Sequence, residues 1–160
     1  MPLSADDIKR AFTALSAELA SRGERAQIAI TGGAALVLLF NARETTKDVD
    51  AFFIQELPED WLNDAAKGYF VAISEGAVVY ESPALIVQAV TIEQLLAMKL
   101  AAWRDAIDRA DARLLLLKLD GSAQEIWSRV EPFVPSSYLD KASYAFDDLW
   151  DSIHGTTDSD

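Results

Sequence analysis

Ile30-Thr31-Gly32-Gly33-Ala34-Ala35-Leu36-Val37-Leu38-Leu39-Phe40, followed by Thr46-Lys47-Asp48-Val49-Asp50-Ala51-Phe52-Phe53, is the stretch on which the fold turns. Gln27 to Ile30 reads as a short buried strand, Gly32-Gly33 as a tight turn, Ala34 to Phe40 as a helix packed on a sheet, and Asp48 to Ile54 as the next strand. Residues two apart on a strand share a face and lie ~6.6 to 6.8 Å apart along it, so Asp48 and Asp50 project together while Val49 faces the other layer. Two carboxylates on a strand that otherwise seeks burial are costly unless a cation is bound there. Mg²⁺ prefers carboxylate, water and phosphate oxygens, and two such ions ~3.5 to 4 Å apart can clamp the attacking and leaving oxygens of a phosphoryl transfer. Upstream, the glycine pair at a helix entrance lets backbone N–H groups approach a phosphate, with the helix dipole adding attraction. The same Asp-x-Asp spacing at Asp158 and Asp160 reads only as a solvated tail, so context rather than spacing distinguishes the first copy.

Toward the N-terminus, Ser4 with Asp7 resembles a capping box, and Ile8, Phe12, Leu15 and Leu19 recur at helical spacing, giving a helix from about 5 to 21 that Gly23 stops. Pro58 opens a helix from about 58 to 66 carrying Trp61. Tyr69 to Ile73, Val78 to Tyr80 and Leu85 to Val90 are strand candidates, the last two joined by a turn at Ser82-Pro83. Thr91 with Gln94 opens a helix to about Arg104, and a second helix is expected at about 108 to 119. Ser122 with Glu125 caps a third, and Ser136 or Ser137 a fourth that ends near Ile153. Strands crowd the first 90 residues and helices the rest. The expected architecture is α+β: a small mixed β-sheet with flanking helices and a helical C-terminal half.

The composition fits one compact domain over 1–154, with 155–160 as a disordered acidic tail. The absence of cysteine excludes a disulfide framework and a thiolate metal site, and suits a cytoplasmic location. Residues 1–10 lack the basic-then-apolar order of a signal peptide, and the longest uncharged run falls short of the ~18 residues a membrane span needs, so no membrane partner is expected. A net charge of −12 opposes nonspecific binding to nucleic acid and attracts divalent cations or a basic protein.

At this point the residues resemble the nucleotidyltransferase-fold superfamily, marked by a Gly-Gly/Ser turn and helix followed by a strand bearing Asp-x-Asp. Within it the chain looks most like the abortive-infection and toxin–antitoxin type proteins, the AbiEii-like group. Thr31 to Phe53, Asp60 to Lys67 and Glu93 to Leu117 carry the likeness. The resemblance implies a nucleotidyltransferase-like fold in which Gly32 and Gly33 cradle the phosphates of a nucleoside triphosphate, Asp48 and Asp50 bind Mg²⁺, and Lys99, Asp108 and Asp111 form a polar face beside the pocket. Asp108 and Asp111 are three apart and share a helix face, whose alternative reading is a solvated surface. Arg43 and Thr46 are candidates near the phosphates; Asn63 and Lys67 are weaker ones. The chain departs from the pattern in offering Gly33 where serine is usual, and in lacking a third carboxylate: the matching strand, Ala84 to Val90, has Gln88 as its only polar residue. Glu75 and Glu81 are nearby substitutes, although Glu81 reads more simply as a turn residue.

His154 stands at the end of the last helix without an evident partner, and no Ser/His/Asp arrangement exists. Trp103, Trp127 and Trp150 read as core or interface, and Asp147, Asp148 and Asp151 as a wet helix face. Two functions follow. One is a Mg²⁺-dependent transferase moving a nucleoside monophosphate to a hydroxyl on RNA or protein, with Lys99 neutralising developing charge. The other is a noncatalytic module that binds nucleotide, or a cognate protein partner in a two-component system.

Overall fold

The computed structural model describes residues 2–40, 45–46, 50–53, 74 and 76–155. These fall into two compact units, one made of the described residues up to 91 and one of residues 92–155.

The first unit is built on a mixed four-stranded sheet. β1 (Leu3–Ser4) pairs antiparallel with β3 (Thr45–Thr46) in a separate small ladder, while β4 (Asp50–Phe53), β2 (Ala26–Thr31), β6 (Leu85–Ala89) and β5 (Val78–Glu81) lie in that order across the sheet. β2 is antiparallel to β4 and parallel to β6; β5 runs antiparallel to β6 beyond the Ser82-Pro83 turn, where Ser82 N–H donates to the Leu85 carbonyl at 2.8 Å. The two central strands are apolar because both faces are covered: Ile28, Ala29, Ile30, Leu85, Val87 and Ala89 are all buried. Gly76 sits where a Cβ would lie against the Ala89 carbonyl oxygen and 2.8 Å from that of Val90, so only glycine fits without backbone movement.

Helix α1 (Ala5–Ser21) has the bounds its sequence signals predict. Ser4 and Asp7 close a reciprocal capping box. At the other end Glu24 N–H reaches the Leu19 carbonyl and Gly23 N–H that of Ala20, with Gly23 at φ +65°, a paired closure that needs the left-handed conformation. Its buried contacts are Ile8 and Phe12, the latter 5.7 Å from the Tyr80 ring; Leu15, expected on the same face, is exposed. Helix α2 (Gly32–Phe40) departs from expectation in one respect. The glycines are not a turn ahead of the helix: they are its first residues, with Gly32 at φ +60° turning the chain directly out of β2.

The second unit is helical: α3 (Ile92–Ala102), α4 (Ala106–Leu117), α5 (Ala123–Val130) and α6 (Leu139–His154), with short 3₁₀ turns at Glu131–Phe133 and Ser136–Tyr138. α5 has the predicted Ser122–Glu125 capping box. Ser136 and Ser137 do not cap α6; they are spent in the 3₁₀ turn, and α6 starts at Leu139 without a side-chain cap. α4 starts two residues earlier than expected because Asp105 caps it, accepting from the Asp108 N–H. The expected helix 58–66, strand 69–73 and the acidic tail from 156 lie outside the described residues. The α+β class and the helical C-terminal half stand. No helix among the described residues is long and apolar enough to cross a membrane.

Candidate functional site

In the first unit, the sheet brings two of the sequence-predicted features to one end. Thr31, the last residue of β2, is the ladder partner of Asp50, the first residue of β4, and Gly32 follows Thr31 directly. The α2 N-terminus and the Asp50 end of β4 are therefore neighbours through backbone pairing, although 18 positions separate Gly32 from Asp50 in sequence. Gly33 is half-buried in the first turn of α2, and the left-handed Gly32 is a place where any side chain would strain the backbone. Asp48 and Arg43 lie outside the described residues, as do Asn63, Lys67 and Glu75. Thr46 is buried in β3, opposite Leu3, in the small ladder beside α2 rather than in the main sheet.

The ladder also locates the residues weighed as a third acid. Gln88 is level with Ala29, whose partner on the other side is Phe52, so it stands two residues short of the Asp50 level. That level falls near Val90, whose N–H donates to the Ile30 carbonyl. Glu81 pairs with Ile86 and so lies level with Gln27, roughly 13 Å down the sheet at ~3.3 Å per residue. Neither residue brings a carboxylate to the Asp50 end. Gln88 is nonetheless unusual: it is 5% exposed, and its Nε2 is the one buried side-chain nitrogen or oxygen without a hydrogen-bond partner among the described residues. A buried donor left unpaired costs about 1–3 kcal/mol.

The second unit joins the remaining predicted residues around one ammonium. Lys99 Nζ lies 2.8 Å from Asp111 Oδ2 and 3.4 Å from Asp108 Oδ1. Both carboxylates are buried, at 2% and 3% exposure, so the alternative of a solvated charged surface does not hold. Asp108 also accepts from the Arg104 backbone N–H at 2.9 Å and from its Nε at 3.0 Å. Burial pushes the Asp108 carboxyl up, but the Arg104 hydrogen bonds, with the charges of Lys99 and Arg104, outweigh it and hold the group at about 2, below its ordinary 3.8. Asp108 in turn raises the Arg104 guanidinium. Two cations and two anions cancel formally, with the Arg104 side chain reaching the buried carboxylate from solvent.

Backbone geometry assembles this cluster. Trp103 ends α3 at φ +37°, a left-handed conformation rare for a bulky residue, and its own N–H still reaches the Lys99 carbonyl. The turn it makes leads to Arg104, whose N–H reaches Asp108, and to Asp105, which caps α4. Arg109 then lies over the Trp103 ring at 5.4 Å. Sequence reasoning missed Arg104 and Asp105. The Asp105-x-x-Asp108 spacing was a helix-start signal that could have found the second.

Elsewhere, the half-buried Trp127 and Trp150 form an aromatic row with the buried Phe146, and His154 does have a partner, stacking on Trp150 at 3.9 Å. Among the described residues no three His, Cys, Asp or Glu side chains gather as a metal site. A site of one or two carboxylates completed by substrate phosphates, the usual habit of Mg²⁺, needs no such triad, and the residue types at Asp48 and Asp50 fit that habit. Comparison with protein-family models, with curated proteins and with solved structures returned no match.

Proposed function

We propose that the chain is a nucleotidyltransferase-fold protein that binds a nucleoside triphosphate with Mg²⁺ at the Gly32/Asp50 end of its sheet, and transfers the nucleoside monophosphate to a hydroxyl on RNA or protein. The observation that carries this reading is the pairing of Asp50 with Thr31, which places an acidic strand end beside a glycine-led helix start. The α2 N–H groups of Gly32 and Gly33 would bind phosphate oxygens, and Asp48 and Asp50 would hold the ion, which when bound polarises the phosphates. The acceptor oxygen forms its bond to the α-phosphorus as the bond to pyrophosphate breaks. The hydroxyl proton passes to water, because β6 has no carboxylate to take it.

That last feature favours a second reading, in which the protein binds the nucleotide without transfer. One experiment separates the two: incubation of the protein with each α-labelled triphosphate, Mg²⁺, RNA and cell protein. Transfer of label that disappears in an Asp48→Ala, Asp50→Ala variant supports the enzyme. Binding without transfer selects the second reading, and absence of binding at millimolar Mg²⁺ overturns both. The roles that the resemblance gives Lys99, Asp108 and Asp111 are tested separately. Lys99→Met and Asp111→Asn, compared at equal folded fraction, lose transfer only if the cluster serves the reaction as well as the helix pair.

A further inference from the structure

Two helices of the second unit leave unlike faces in solvent. On α4, Ile107, Ala110, Leu114 and Leu117 are exposed, the first and last at 58% and 56%, while Asp108, Asp111, Ala112, Leu115 and Leu116 are buried opposite. At about 100° per residue those four fall within an arc of roughly 80°, a continuous apolar stripe bordered along one edge by the exposed Arg113 and Arg109. The two acids on α4, Asp108 and Asp111, are both turned inward. On α6 the pattern is reversed. Tyr144 is 77% exposed, and Asp140, Asp147, Asp148 and Asp151 surround it within an arc of roughly 100°. Lys141, at the margin of that arc, is turned to the Ala102 carbonyl at 2.8 Å.

We propose that the protein forms a two-fold dimer in which the apolar and basic face of α4 in one copy receives the Tyr144-centred acidic face of α6 in the other. Charge decides between the ways a second copy can dock. α4 on its own mate would bring Arg109 and Arg113 against their symmetry equivalents, and α6 on its mate would oppose four aspartates to four. α4 on α6 matches arginine to aspartate and sets an exposed tyrosine on an exposed leucine stripe. A two-fold axis repeats any α4-to-α6 contact, so the pairing is made twice in one dimer. Aromatic and arginine side chains are the residues that most often anchor such interfaces.

Sedimentation equilibrium of the full chain over about 1 to 200 µM tests this, with circular dichroism to show that each variant folds. A reversible dimer is expected, weakened about tenfold or more by Leu114→Asp, by Tyr144→Ala and by Arg113→Asp. Asp148→Arg should weaken it similarly, and Arg113→Asp with Asp148→Arg should recover most of the loss. A chain that stays monomeric at about 200 µM overturns the proposal, as does a dimer indifferent to these changes or a double variant whose losses simply add. Binding of a synthetic amphipathic peptide with glutamates beside a leucine stripe, by a chain that remains monomeric, would assign α4 to a foreign helix and equally overturn it.

Discussion

Asp108 receives donors from both sides of a helix corner: the Lys99 ammonium, the Arg104 side chain and the Arg104 backbone N–H. Its depressed titration makes a pH prediction of definite sign. A carboxylate whose folded pKa lies below the unfolded one contributes stability that is complete above about 4 and is lost as pH falls from 3.8 toward about 2. Urea unfolding followed between pH 5.5 and 2 should show on the order of 2 kcal/mol lost through this group, a component absent from Asp108→Asn. Asp108→Ala at neutral pH should cost about 3 kcal/mol, because Lys99 is mostly buried and loses one of its two counterions. Gln88 predicts the opposite sign. Gln88→Met removes an unpaired buried donor while keeping volume, so it should raise the unfolding free energy by about 1 kcal/mol. If the amide serves a ligand at that end of the sheet, the same variant weakens triphosphate binding, measurable by calorimetry. Gly76→Ala should destabilise by 2 kcal/mol or more, roughly the upper part of the usual single-substitution range, since carbonyl oxygens rather than a movable side chain meet the new methyl.

At the scale of elements, the helices whose ends are written in adjacent residues were legible. α1 and α5 begin where Ser4 and Ser122 with their partners Asp7 and Glu125 predict, and α1 stops at Gly23. Ser4→Ala and Ser122→Ala should each cost about 1 kcal/mol in thermal or urea unfolding. Misreadings arose where two local signals competed. Ser136-Ser137 reads as a cap but folds into a 3₁₀ turn after Pro135, and the start expected at about 108 lies two residues inside a helix that Asp105 caps. The candidate site was legible as residue types and as a glycine-led helix start next to an acidic strand, but not in its strand register. Nothing near Asp50 in sequence announces that Thr31 will be its partner, and nothing near Gln88 says that it will be sealed from water. Those facts depend on which strands pair and in what register, a choice made by whole sheets. Likewise Lys99 was picked out as a charge, whereas its pairing depends on the left-handed Trp103 that swings Arg104 and α4 into place.

At the scale of the whole chain, the excess of acids acts as a diffuse self-repulsion that added salt screens. The buried Lys99 pairs are shielded from that screening. Melting measured at neutral pH should therefore shift upward between about 10 and 300 mM NaCl, by roughly 2–4 °C for each kcal/mol recovered, rather than downward as a fold held by surface ion pairs would. A different consequence concerns the order in which the molecule comes into being. β2 and β6 are central neighbours in the sheet, yet roughly sixty positions of chain lie between their paired residues, a large loop-closure requirement for a parallel contact. On a ribosome, α1, β2 and α2 emerge long before β6 and must wait with an apolar strand edge uncovered, whereas α3 and α4 contact each other as soon as they are made and α5 and α6 then pack on α3. Synthesis thus leaves the first unit exposed to aggregation for as long as it takes to deliver Leu85 to Ala89. Slowing elongation between Phe53 and Leu85 should lower the yield of folded protein, while the same pause placed after Val90 should leave it unchanged.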